Sequence, residues 1–160
     1  MARFAPSLLD RLMDDQPESA GTAYATHVGL EQLKDAVARD LEALLNARCG
    51  VRREALAGFR HVSRSILSFG MVDFSAMSLA HTEEREAICR AIEDAIATHE
   101  PRLQQVQVSL VEDASSRGYT FQIQALLLVN PAQEPVSFNA TLKPSTQLYS
   151  VSKSRRAVTL

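Results

Sequence analysis

Across Pro101 the apolar residues change their spacing. Before it, Ile88, Ala91, Ile92, Ala95 and Ile96 recur at intervals of three and four, which places them on one stripe of a helix. After it, Val106, Val108 and Leu110 alternate with Gln105, Gln107 and Ser109, the period of a strand with one buried face. Proline enforces the change, because it crowds the helical region of the preceding residue and fixes its own φ at about −65°. A helix ahead of this point and alternating strands behind it must bury their apolar surfaces against each other. The chain therefore belongs to the α+β class.

The remaining pattern fills in the architecture. Leu30, Leu33, Val37, Leu41, Leu44 and Leu45 predict a first helix over about 29–48, with Gly50 as its cap. The second helix is expected over 82–99, with Thr82 as N-cap and Glu83 and Glu84 favourable in its first turn. Between them, Gly58 and a run of serines favour short helical turns ending at Gly70, followed by a loop. Downstream, "YTFQIQALLLV" begins by alternating and ends fully apolar, as a central strand does. "NPAQEP" breaks the pattern, "VSFNATL" alternates again, and "QLYSV" reads as a last short strand. The expected fold is two main amphipathic helices packed on one face of a small antiparallel sheet of three or four strands.

The expected organisation is an N-terminal arm and linker (1–28), a single α+β domain (29–152) and a basic tail (153–160). In the arm, Leu8, Leu9 and Leu12 would share a face of one or two helical turns, with Asp10 and Arg11 turned away. Such an arm suits docking on a neighbour, and equally suits folding back on its own domain.

Composition removes several functions. A chain of 160 residues that is 46% hydrophobic suffices for one core. A formal net charge of −2 gives no general attraction to nucleic acid or anionic membranes. No run of about 18 apolar residues exists to span a bilayer, and "MARFAPSLLDRLMDD" is not a secretory signal. Cys49 and Cys89 form no CxxC pair, and the four histidines lack ligand spacing. No metal, cofactor or small-molecule substrate is expected, and the two thiols read as reduced and cytosolic.

The segment "HEPRL" (99–103) carries the most unusual chemistry. A helix that only had to stop would favour Gly or Asn followed by Lys, whereas Glu100 opposes the negative end of the helix dipole. If Arg102 begins the strand, Glu100 and Arg102 point the same way from a stiff platform at Pro101. Their partner is then either internal, on the first helix, or another protein.

At these residues the chain resembles the baseplate wedge subunits of bacterial type VI secretion systems, the TssE family. That family is related to the lysozyme-like wedge protein of contractile phage tails. The resemblance is carried in order by "PSLLDRLMDDQP" (6–17), "VARDLEALLNAR" (37–48), "SILSFGMVDFS" (65–75) and "HEPRLQQVQVSL" (99–110), with Glu100, Pro101 and Arg102 matching the family's Glu-Pro-Arg hallmark. Phe69-Gly70-Met71-Val72 stands where the family usually has an aromatic-Gly-Leu-Pro run. The resemblance implies a structural role at the inner face of the cell envelope. It implies contacts to other wedge subunits and to sheath proteins, with help in starting sheath polymerisation through an edge of the terminal sheet, here 136–151. Partner-binding residues would be Glu100, Pro101 and Arg102, together with Leu8, Leu9, Asp10, Arg11 and Leu12 of the arm. A small regulatory binder on the same fold is the other non-enzymatic reading. The lysozyme label fits poorly. A retaining glycosidase needs two carboxyls about 5–5.5 Å apart, one of them able to donate a proton, and an arginine beside Glu100 favours the charged form. No Ser-His-Asp set or phosphate loop is present either.

Overall fold

The computed structural model describes residues 4, 29–51, 53–56, 58–74, 81–111, 118–129 and 132–154. In chain order they form α1 (Leu30–Asn46), a short helix α2 (Arg53–Leu56), two 3₁₀ turns (Val62–Arg64 and Ile66–Ser68), α3 (Thr82–His99), β1 (Leu103–Val111), β2 (Tyr119–Val129), β3 (Ala132–Lys143) and β4 (Leu148–Lys153). The strands make one antiparallel sheet in the order β1-β2-β3-β4.

One face of β2 carries Phe121, Ile123, Ala125, Leu127 and Val129, all buried. Phe138 and Ala140 of β3 and Tyr149 of β4 join them, and the apolar stripes of α1 (Leu33, Val37, Leu41, Leu44, Leu45) and α3 (Ile88, Ile92, Ala95, Ile96) close over them as one core. Full burial of each large side chain contributes roughly 1.5–3 kcal/mol. α1 lies chiefly along β4 and α3 along β1. The opposite face of the sheet carries Gln122, Gln124, Asn139 and Thr141, and the Thr120 and Thr141 hydroxyls meet across the strands at 3.2 Å. Phe4 is half-buried against the core, whereas Leu8, Leu9, Asp10, Arg11 and Leu12 lie outside the described residues.

The helix ends differ from the sequence expectation in instructive ways. α1 stops at Asn46, well before Gly50, with Ala47 already extended. The Ala47 carbonyl accepts from the Met71 N–H and the Met71 carbonyl from the Cys49 N–H, each at 2.9 Å. A tertiary bridge therefore ends this helix, rather than a local cap. α3 is capped from His81, so Thr82 is its first helical residue and its hydroxyl instead accepts from Arg85 Nη2 at 3.0 Å.

β3 runs straight through Pro135, where the sequence reads as a break. The reason is its position. The Ser137 carbonyl accepts from the Ser154 N–H at 2.8 Å, so alternate residues from Ser137 back to Pro135 turn their backbone groups toward β4. β4 has ended by that point, and proline is tolerated where its missing N–H faces an unpaired edge. The C-terminal half of β3, from Phe138, is paired on both sides. Segment 136–151 is thus mostly interior, and the edge strand at this side is β4.

Tyr149 links the edge strand to the core, 8% exposed and 6.2 Å from the Phe121 ring centroid. Burial pushes its phenol up to about 12 from an ordinary 10. The unfolded chain then releases this proton first, and stability falls as pH rises from 10 through 12. Titration of urea stability should lose about 2 kcal/mol over that window, and Tyr149→Phe should flatten the loss.

Candidate assembly interface

The Glu-Pro-Arg triplet is a turn. The Glu100 carbonyl accepts from the Leu103 N–H at 3.1 Å, with Pro101 and Arg102 as the central residues, and proline suits the first central position of such a turn. β1 therefore begins at Leu103, one residue later than the extended reading placed it. The difference decides where the charges go. Arg102 curls back on its neighbour: Nε donates to Glu100 Oε1 at 2.6 Å and Nη2 to Glu100 Oε2 at 2.5 Å. The Arg102 N–H adds a longer bond to Oε1 at 3.3 Å. The same Nη2 also donates to Asp40 Oδ2 on α1.

The outward platform expected for Glu100 is therefore corrected. Glu100 is 6% exposed and both of its oxygens are held by Arg102. Pro101 is exposed, while the Arg102 and Asp40 side chains are 26% and 31% accessible. Hydrogen bonding to Glu100, followed by Asp40, holds the guanidinium above its already high pKa against the opposing effect of burial. The three groups clamp the α3–β1 corner to the middle of α1. Asp40 was not singled out by the sequence, because it reads as one more residue on the solvated face of α1.

Both sheet edges are closed by the helices beside them. Asn46 of α1 donates from Nδ2 to the Tyr149 carbonyl at 2.9 Å and accepts the Tyr149 N–H on Oδ1 at 2.8 Å. One helical turn earlier, Glu42 Oε2 accepts the Val151 N–H at 2.7 Å. Opposite, Glu93 of α3 accepts the Val108 N–H at 2.8 Å, and Cys89 lies near the Leu110 amide. Burial and then Glu93 push that thiol up. The spacing explains why the device works twice. Four helical residues rise about 6 Å and two strand residues about 6.7 Å, so a pair at i, i+4 reaches alternate edge amides. The pairs 42/46 and 89/93 each sit one position after a buried pair, 41/45 and 88/92. That is a signal the sequence did contain.

Past the end of β4, a groove of about 750 Å³ runs between α1 and the sheet. Its walls include Lys34, Glu42, Pro135, Val136 and Lys153. Lys153, assigned by sequence to the tail, is the last residue of β4 and bonds Asp35 at 2.8 Å and Glu31 at 3.1 Å.

The model of the family described as baseplate wedge protein gp25 matches residues 31–132, which include α1, α3, β1, β2 and the clamp. The chain belongs to the baseplate wedge protein gp25 family. No curated protein matches it. Membership gives the described features a common context, since a wedge protein works by contact with other baseplate proteins. No helix of the described residues is long and apolar enough to cross a membrane. Among those residues no cluster of His, Cys, Asp and Glu has the form of a metal site.

Proposed function

We propose that this wedge protein is the TssE-type subunit of a type VI secretion baseplate, acting in the cytoplasm at the inner face of the envelope. It contacts the other wedge subunits and helps to start the sheath. The observation that carries the reading is the β4 edge, where Asn46 and Glu42 make the bonds a neighbouring strand would make to Tyr149 and Val151. A sheath strand has only to displace three side-chain bonds to add to the sheet through main-chain hydrogen bonds. In this reading Pro101 and the accessible side of Arg102 meet a wedge partner, with Glu100 fixing them from behind. The arm residues Leu8, Leu9, Asp10, Arg11 and Leu12 add a second contact. In this reading the chain has no enzymatic role, which is supported at the triplet: both oxygens of Glu100 are engaged by Arg102, and Asp40 shares the same guanidinium. That is a clamp, not a proton donor facing a substrate. Peptidoglycan clearing by the pure chain, abolished by Glu100→Gln, would overturn this part.

Val151→Pro tests the edge. It removes an N–H that faces away from β3, so β3–β4 pairing is kept and only the bond to Glu42 is given up. The variant should fold and enter the wedge, yet fail to start sheaths in cells. Sheath numbers equal to wild type would refute the β4 route.

A further inference from the structure

Six large apolar side chains of the described residues are exposed, and four of them, Phe59, Ile66, Leu67 and Phe69, lie within residues 59–69. Ile66 is 87% exposed and Phe59 62%. Single exposed apolar residues are ordinary, but their concentration in one segment marks a contact surface. The segment is also firmly built. Ser65 Oγ donates to the Val62 carbonyl at 2.7 Å and accepts the Leu67 N–H at 3.3 Å. Ser68 Oγ lies 2.9 Å from the carbonyls of both Ser63 and Ser65. At its base, His99 Nε2 is 3.0 Å from the Ser68 carbonyl, and the His99 ring meets Phe69 nearly edge-on at 5.3 Å. Serine bonds thus hold an apolar tip in place before anything binds, which lowers the ordering cost of binding.

Within the segment the ionisable side chains are all basic, and Asp94 of α3 lines the hollow beside Arg64. Residues 55–72 contain Arg60, His61 and Arg64 and no carboxylate. Among the described residues neither Arg60 nor Arg64 has an ion pair. Aromatic residues and arginine are the types enriched at the centres of protein interfaces.

We propose that residues 59–69 form a docking knob that seats Ile66 and Leu67 in an apolar groove of another baseplate subunit, with carboxylates of that groove facing Arg60 and Arg64. The proposal rests on the wedge reading and specifies its surface. A protein groove fits better than a lipid surface, because two guanidiniums and one imidazole on a chain of net charge −2 are a weak lure for an anionic bilayer.

The test uses the full chain and a purified complex of the other wedge subunits. Ile66→Asp and Leu67→Ser should melt with the wild type and bind the complex at least tenfold more weakly in calorimetry. Arg60→Glu combined with Arg64→Glu should weaken binding and remove its dependence on salt. Wild-type affinity in the Ile66→Asp and Leu67→Ser variants would overturn the knob while leaving the wedge reading intact. Flotation with phosphatidylglycerol vesicles that Ile66→Asp abolishes, alongside unchanged binding to the complex, would assign the knob to membranes instead. A wild-type chain that does not bind the complex at all would refute the wedge reading and the knob with it.

Discussion

Arg102→Ala should destabilise the monomer by about 3 kcal/mol, because it strips a buried carboxylate of its partner. Glu100 is 6% exposed and takes two side-chain bonds from Arg102. Removing the guanidinium leaves that group without its main donor and also releases Asp40 on α1. The estimate sits at the low end for a broken buried pair, since a quarter of the Arg102 side chain still meets water. Melting should fall by roughly 6–12 °C for a chain of this size. Arg102→Lys keeps the charge but loses the planar fork, so it should recover only part of the stability. High salt should change these differences little, in contrast to an exposed pair. Shifts below about 0.5 kcal/mol in both variants would mean that the clamp contributes nothing to the fold. The result matters for function too. Loss of wedge binding in such variants is informative only when measured well below their melting temperatures.

Gly70→Ala is expected to be nearly as damaging, at about 3 kcal/mol. Gly70 has φ +107°, which L side chains rarely adopt. A Cβ there would lie 2.6 Å from the Ala47 carbonyl oxygen and 2.7 Å from its carbon. Those are backbone atoms, and the same carbonyl is bonded to the Met71 N–H, so it cannot step aside without undoing the bridge that ends α1. The 59–69 segment hangs from this point, so its apolar tip should shift with it. Gly58→Ala is the matched control. Among the described residues nothing lies within 4 Å of its Cβ position, and the effect should be within about 0.5 kcal/mol of zero. Urea unfolding of the two variants side by side decides the matter. Equal stabilities would show that the close approach at Ala47 carries no strain.

How far the sequence could be read depends on whether a feature is periodic. The stripes of α1 and α3 and the alternation of β2 repeat over many residues, so each was legible, down to both ends of α3 and β2. Pro135 was misread because a proline breaks a strand only where its N–H is needed. Whether it is needed depends on where β4 ends, about twenty residues later. Gly50 was misread as a cap because the true stop is Met71, which reaches α1 from across a loop. In the sequence Glu100 reads as a charge that the helix end does not want and that points outward, whereas the structure buries it. An extended backbone separates side chains by direction, whereas the turn at Pro101 lets Arg102 fold back onto it.

By itself the sequence determined the α+β class, the two packed helices, the meander and the point at which one period gives way to the other. Apolar spacing is a local property, and burial rewards it wherever the chain collapses. Only the tertiary structure decided that Asp40 completes the clamp and which strand amides Asn46, Glu42 and Glu93 meet. Those bonds join residues as far apart as 42 and 151, and a polar side chain carries no mark of its partner until packing brings the two within about 3 Å.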